Sequence, residues 1–177
     1  MEKTRNKYIY ILLNRTLSVI FTMICAIVFP QIFHLFGVTS GLGDKVGQMF
    51  LPMYLPVLIL AFKTNAVTGM IAGILSPVIS FAISGMPTIA MLPFITIELA
   101  CYGIFAGLFS QKKMNIFVKI FMVQLLSKIV RILAILILGC FYANIVVSAT
   151  AVLSSVVLAL PGYVLQLLAV PYFIKEK

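Results

Sequence analysis

Residues 116–141 read IFVKIFMVQLLSKIVRILAILILGCF, and the reading of this stretch decides the fold. An apolar run of this length is a candidate membrane span, yet it carries Gln124, Ser127, Lys128 and Arg131 near its middle. Each basic residue at a bilayer centre costs about 2.5–3.5 kcal/mol on insertion scales. The surrounding Ile, Leu, Val and Phe return about 0.3–0.6 kcal/mol each, which keeps the segment insertable. At about 100° per residue, the four polar side chains fall within one sector of about 100° on a helix. Such a stripe must face protein or water, and buried cations near the midplane mark a candidate functional site.

The whole chain agrees with a membrane reading. Its 177 residues are 63% hydrophobic and only 10% charged, with a mean hydropathy of +1.19. These values exclude an ordinary soluble domain and leave room for six helices of about 20 residues each. The net charge of +9 does not point to nucleic acid, because the cations sit mainly in short segments flanking the apolar runs. Cys25, Cys101 and Cys140 lie inside apolar runs without metal-type spacing and read as small buried residues.

The N-terminus is basic (Lys3, Arg5, Lys7) and then turns apolar. No small-residue cleavage site follows, so it is expected to remain as mature structure. The first span is placed at Thr16–Phe36, with Arg15 at its cytoplasmic edge and Tyr8–Leu13 near the interface. Ser18, Thr22 and Ala26 recur every four residues on it, forming a small-residue stripe for close helix approach. Packing within the chain and docking of a partner subunit both remain open for that stripe. His34, at the outer end of this span, is a candidate for the rim of a site.

Val38–Gln48 is the polar loop. Met49–Phe62 follows, opened by Pro52 and Pro56, and at about 1.5 Å per residue its reach is about 21 Å. A segment shorter than the hydrocarbon core of about 30 Å suits a broken helix lining a binding cavity. Further spans are expected at Ala66–Ser84, Ile89–Phe109 and Ile116–Phe141. The last segment, Asn144–Ile174, is expected to kink or end a partly inserted loop at Pro161-Gly162. Gly69–Gly73 and Gly103–Gly107 are both GxxxG runs that antiparallel helices could bring face to face. The expected fold is all-α, with six transmembrane helices in one domain. With both termini cytoplasmic, every flanking cation except Lys45 lies inside, as the positive-inside rule requires.

Depth then relates the charged residues. Glu98 lies about 14 Å below the outer edge and Arg131 about 15 Å, so these two can pair, while Lys128 lies near 20 Å and is left in excess. The site so drawn suits an anionic ligand, with Gln124, Ser127 and Gln166 as hydrogen-bonding neighbours. Lys119 points away from the stripe and reads as a snorkelling lysine. No HExxH, GxSxG or Walker A pattern occurs, so no enzyme activity and no cofactor are expected.

Phe50-Leu-Pro-Met-Tyr-Leu-Pro-Val57 resembles the substrate-binding S components of energy-coupling factor (ECF) vitamin transporters, in the subgroup reading LPMHxPV. The likeness continues through Gly73-Ile-Leu-Ser-Pro77, Gly85-Met-Pro87, Leu92-Pro93, Glu98-Leu-Ala-Cys-Tyr-Gly103, and Pro161-Gly162 with Gln166 and Pro171. This chain has Tyr54 where the subgroup has histidine. The resemblance implies a six-helix protein of the bacterial cell membrane that captures a vitamin or related micronutrient from outside. It implies a transmembrane coupling subunit and two cytoplasmic ATPases as partners. It also implies that a stripe such as Ser18, Thr22 and Ala26 contacts the coupling subunit, and that Tyr54 belongs to the ligand site. Two other readings stay open. One is a stand-alone proton-coupled carrier using Glu98; the other is a structural or regulatory membrane protein held by a buried ion pair.

Overall fold

The computed structural model describes residues 2–41, 49–50, 52–85, 87–89, 91–141 and 157–174. Among them, six helices follow one another: α1 (Glu2–Thr39), α2 (Tyr54–Lys63), α3 (Ala66–Ser84), α4 (Leu92–Ser110), α5 (Ile116–Phe141) and α6 (Leu160–Phe173). The protein is an all-α, transmembrane helical protein. Four of the helices contain runs long and apolar enough to cross a membrane: Val19–Thr39, Ala66–Ser84, Leu92–Ser110 and Ile116–Ile137. Helices α2 and α6 are shorter.

Helices α3 and α5 have the bounds expected from sequence. Asn65 opens α3 by accepting a hydrogen bond from Thr68 N at 2.8 Å. Gly85 closes it in the left-handed region at φ 70°, which costs glycine little. Helix α1 departs from expectation. It is one continuous helix through Arg15 and Pro30, ending at Thr39 rather than Phe36. The polar residues at its start do not break a helix; they only end its apolar window. Thr39 Oγ1 donates to the carbonyls of Leu35 and Phe36, so the expected loop starts later than Val38. Residues 42–48 of that loop, with Asp44 and Lys45, lie outside the described residues.

Helix α4 begins at Leu92 rather than Ile89, because Thr88 O first accepts from Met91 N and Leu92 N at 2.9 and 3.0 Å. Pro56 sits in the first turn of α2, where its missing N–H leaves no bond unmade. Pro161-Gly162, expected either to kink the last span or to end a partly inserted loop, falls in the first turn of α6 rather than at a kink within it. A Cβ on Gly162 would come within 2.7 Å of Met49 O, so this start packs directly on the chain entering α2. Residues 144–156 of the expected last span lie outside the described residues.

Short α2 is surrounded by α1, α3, α4 and α6, and its Val57, Leu58 and Ala61 are fully buried. A helix apolar all round belongs in such an interior position. Helix α4 packs against α2, α3 and α5. Its seam with α3 is made by the two GxxxG runs. A Cβ on Gly69 would lie 2.5 Å from Gly103 O, Gly73 abuts Leu99 and Ala100, and Gly107 abuts Asn65 and Ala66. The two backbones touch, as small residues at regular spacing allow.

Candidate functional site

On the opposite side of α4 from the glycine seam, Glu98 is 2% exposed and meets α5 and α2. Lys128 and Arg131 stand one turn apart on α5, so both cations present on one face. Lys128 Nζ lies 2.6 Å from Glu98 Oε1. Arg131 Nη1 donates to Glu98 Oε2 at 2.8 Å, and Tyr54 Oη donates to the same oxygen at 2.8 Å. The expected pair of Glu98 with Arg131 is therefore present. The expected isolation of Lys128 is overturned: its flexible stem reaches the same carboxylate, although its Cα lies about a turn deeper. Two cations share one anion. The surplus positive charge belongs to the cluster rather than to Lys128.

Tyr54 thus acts as a donor to the buried acid. Its ring stacks edge-on against Tyr102, with centroids 5.2 Å apart. Tyr102 is one turn after Glu98 on α4, and its hydroxyl donates to Gln166 Oε1. Gln124 Nε2 donates to that same Gln166 oxygen at 3.2 Å and to Tyr163 O at 3.3 Å. Polar side chains from α2, α4, α5 and α6 are thereby brought to one locus. Two of its atoms keep unused hydrogen-bonding capacity. Ser127 Oγ and Gln166 Nε2 are buried with no hydrogen-bond partner. Each buried donor or acceptor left unmade costs about 1–3 kcal/mol. The Tyr163 ring also lies 5.6 Å from Lys128 Nζ, within cation–π range.

Of the residues chosen from sequence, Tyr54, Glu98, Gln124, Ser127, Lys128, Arg131 and Gln166 all converge here. The side chains of His34 and Ser18 lie outside the described part of the structure. Ala26 is fully buried in the chain's own core, so at that position the α1 stripe serves internal packing. Sequence reasoning missed Tyr163, which lies three residues before Gln166 and so on its helical face. It also left Tyr102 out of the site, although that residue is one turn from Glu98. A second polar contact went unread: Gln31 Nε2 on α1 donates to Ser80 Oγ at 3.2 Å and to Ser84 Oγ at 2.9 Å on α3.

Chemically, the cluster offers spare N–H donors on two cations, a spare amide donor and two hydroxyls, an inventory whose complement is a set of hydrogen-bond acceptors. Among the described residues, no three His, Cys, Asp or Glu side chains form a metal-binding group. No protein-family model, curated protein or solved structure matches the chain.

Proposed function

We propose that this chain is the substrate-specificity (S) subunit of an ECF-type importer in a bacterial cell membrane. It captures a vitamin or related micronutrient from outside, an anionic one such as pantothenate fitting best. It passes the ligand inward through a transmembrane coupling subunit driven by two cytoplasmic ATPases. The observation that carries this reading is the net-positive cluster around buried Glu98, with two buried polar atoms, Ser127 Oγ and Gln166 Nε2, still unpartnered. A purely structural ion pair needs one cation for one carboxylate. A second cation buried beside it costs desolvation that only a further anion offsets well.

The proposed topology has six crossings with both termini cytoplasmic. The lysines support this orientation. Gly107 near the end of α4 abuts Asn65 and Ala66, so exposed Lys63, Lys112 and Lys113 gather at one end of the bundle. That end is the cytoplasmic one by the positive-inside rule. Ser18 and Thr22, before the buried Ala26, are the part of α1 assigned to the coupling subunit.

The test is coexpression with an ECF coupling module, copurification, and radioligand binding of a vitamin panel. A folded protein that retains no vitamin and copurifies with no coupling subunit sinks the proposal. A second reading is favoured by one observation: all three charges are already paired to each other, as helix glue would require. On that reading Glu98→Arg with Arg131→Glu restores the expression lost in each single variant and leaves no transport defect. A proton-coupled carrier using Glu98 is distinguished by transport that survives loss of the ATPases.

A further inference from the structure

We infer that Glu98 sets the charge of the ligand: the site takes a monocarboxylate, and Glu98 stays in place as an internal counter-ion. This rests on the ligand-capture reading above and specifies its substrate class.

Both Glu98 oxygens are already engaged, Oε1 by Lys128 at 2.6 Å and Oε2 by Arg131 and Tyr54, each at 2.8 Å. The carboxylate is 2% exposed. It projects from α4, whose backbone is locked against α3 at Gly69 and Gly103. A ligand therefore meets the cations on their remaining donors, since an ammonium has three N–H groups and a guanidinium five. Two cations less one carboxylate leave one positive charge. A monoanion brings the cluster to neutrality, a neutral ligand leaves the charge uncompensated, and a dianion reverses it in a medium that screens poorly.

The unpartnered atoms specify the rest of the ligand. Ser127 Oγ adjoins Lys128 in the chain and precedes Arg131 by one turn, while Tyr163 flanks Lys128. Ser127 and Gln166 are themselves 0% exposed. Gln166 Oε1 is occupied by Tyr102 and Gln124, so its free Nε2 can only donate. The ligand accordingly carries an uncharged acceptor, such as an amide or ureido carbonyl, in addition to its carboxylate.

The experiment is calorimetry on the purified full chain in lipid nanodiscs with matched acid and neutral probes: pantothenate and pantothenol, biotin and biotinamide, nicotinate and nicotinamide. One acid is expected to bind, with its neutral counterpart weaker by about 10–100-fold, the range for losing a charged hydrogen bond. Lys128→Met, which neutralises the cluster, is expected to collapse the acid-to-neutral affinity ratio towards one. Glu98→Gln, which raises the surplus charge, is expected to increase that ratio; if this variant does not fold, Lys128→Met decides alone. A neutral probe binding as tightly as its acid overturns the inference. So does a Lys128→Met variant that weakens both members of a pair equally, or a Glu98→Gln variant that lowers the ratio. Tight binding of riboflavin or thiamine with no acid bound keeps the S-subunit reading and overturns the charge assignment. A folded protein that binds none of these compounds overturns both.

Discussion

Helix α4 has two working faces, and they are built on opposite terms. Towards α3, Gly103 and Gly107 bring backbone against backbone, and this seam involves no side-chain charge. Towards α2, α5 and α6, Glu98 and Tyr102 enter a cluster with one surplus charge and two unpartnered polar atoms. The first face closes on itself. On the reading proposed above, the second is completed by a ligand. The difference assigns each face its own mutational behaviour.

The glycine seam should give the largest effect. Any side chain on Gly103 overlaps the backbone of Gly69, which cannot rotate away as a side chain would. Gly103→Leu should therefore exceed the usual overpacking cost of about 1–3 kcal/mol. Detergent size-exclusion chromatography is expected to show loss of the monodisperse species. A variant as well behaved as the parent would mean the seam is not close-packed.

Next comes Glu98→Ala, which strands buried Lys128 and half-buried Arg131 and should cost about 3–5 kcal/mol. Adding Lys128→Met removes one of them and should recover part of the loss in a thermal melt. No recovery in the double variant would show that the cations are not coupled through Glu98. Tyr102→Phe removes a single donor to Gln166 and is expected to cost about 1 kcal/mol, while leaving the seam intact. Smallest is Gln31→Leu, which removes the bonds to Ser80 and Ser84 between α1 and α3. Interhelical bonds of this kind average about 0.6 kcal/mol in membrane proteins, so a melt shifted by several times that amount would assign α1 a larger role.

Much of both faces was legible in the sequence. The GxxxG runs and the bounds of α3 and α5 follow from spacing and hydropathy. The pairing of Glu98 with Arg131 follows from helical rise once the flanking cations have set the orientation of the spans. What depth along an axis cannot convey is the reach of a long side chain. Lys128 starts a turn deeper than Arg131, yet its flexible stem brings its ammonium to the same carboxylate. Tyr163 escaped notice because an aromatic ring within an apolar run reads as packing until its helical phase is compared with Gln166. The continuity of α1 was hidden for a related reason. Polar residues mark where a helix leaves an apolar environment, so hydropathy bounds the span at Thr16 and says nothing of where the helix itself begins. Gln31, a single amide among Ile, Phe and Val, gave no sign of its partners on a helix about 50 residues later.

The central claim is that the cluster on the far side of α4 binds an anionic ligand. Its most direct test compares three lysine and arginine truncations on α5 by calorimetric titration with the acidic vitamin that the chain retains. Lys128→Ala and Arg131→Ala should each lower affinity by about 10-fold or more, as expected for losing a charged hydrogen bond. Lys119→Ala, more than two turns along the helix from the cluster and only partly buried, should leave affinity within about threefold of the parent, as charges that stay in contact with solvent and touch no ligand contribute little. Equal losses in all three variants would contradict the account.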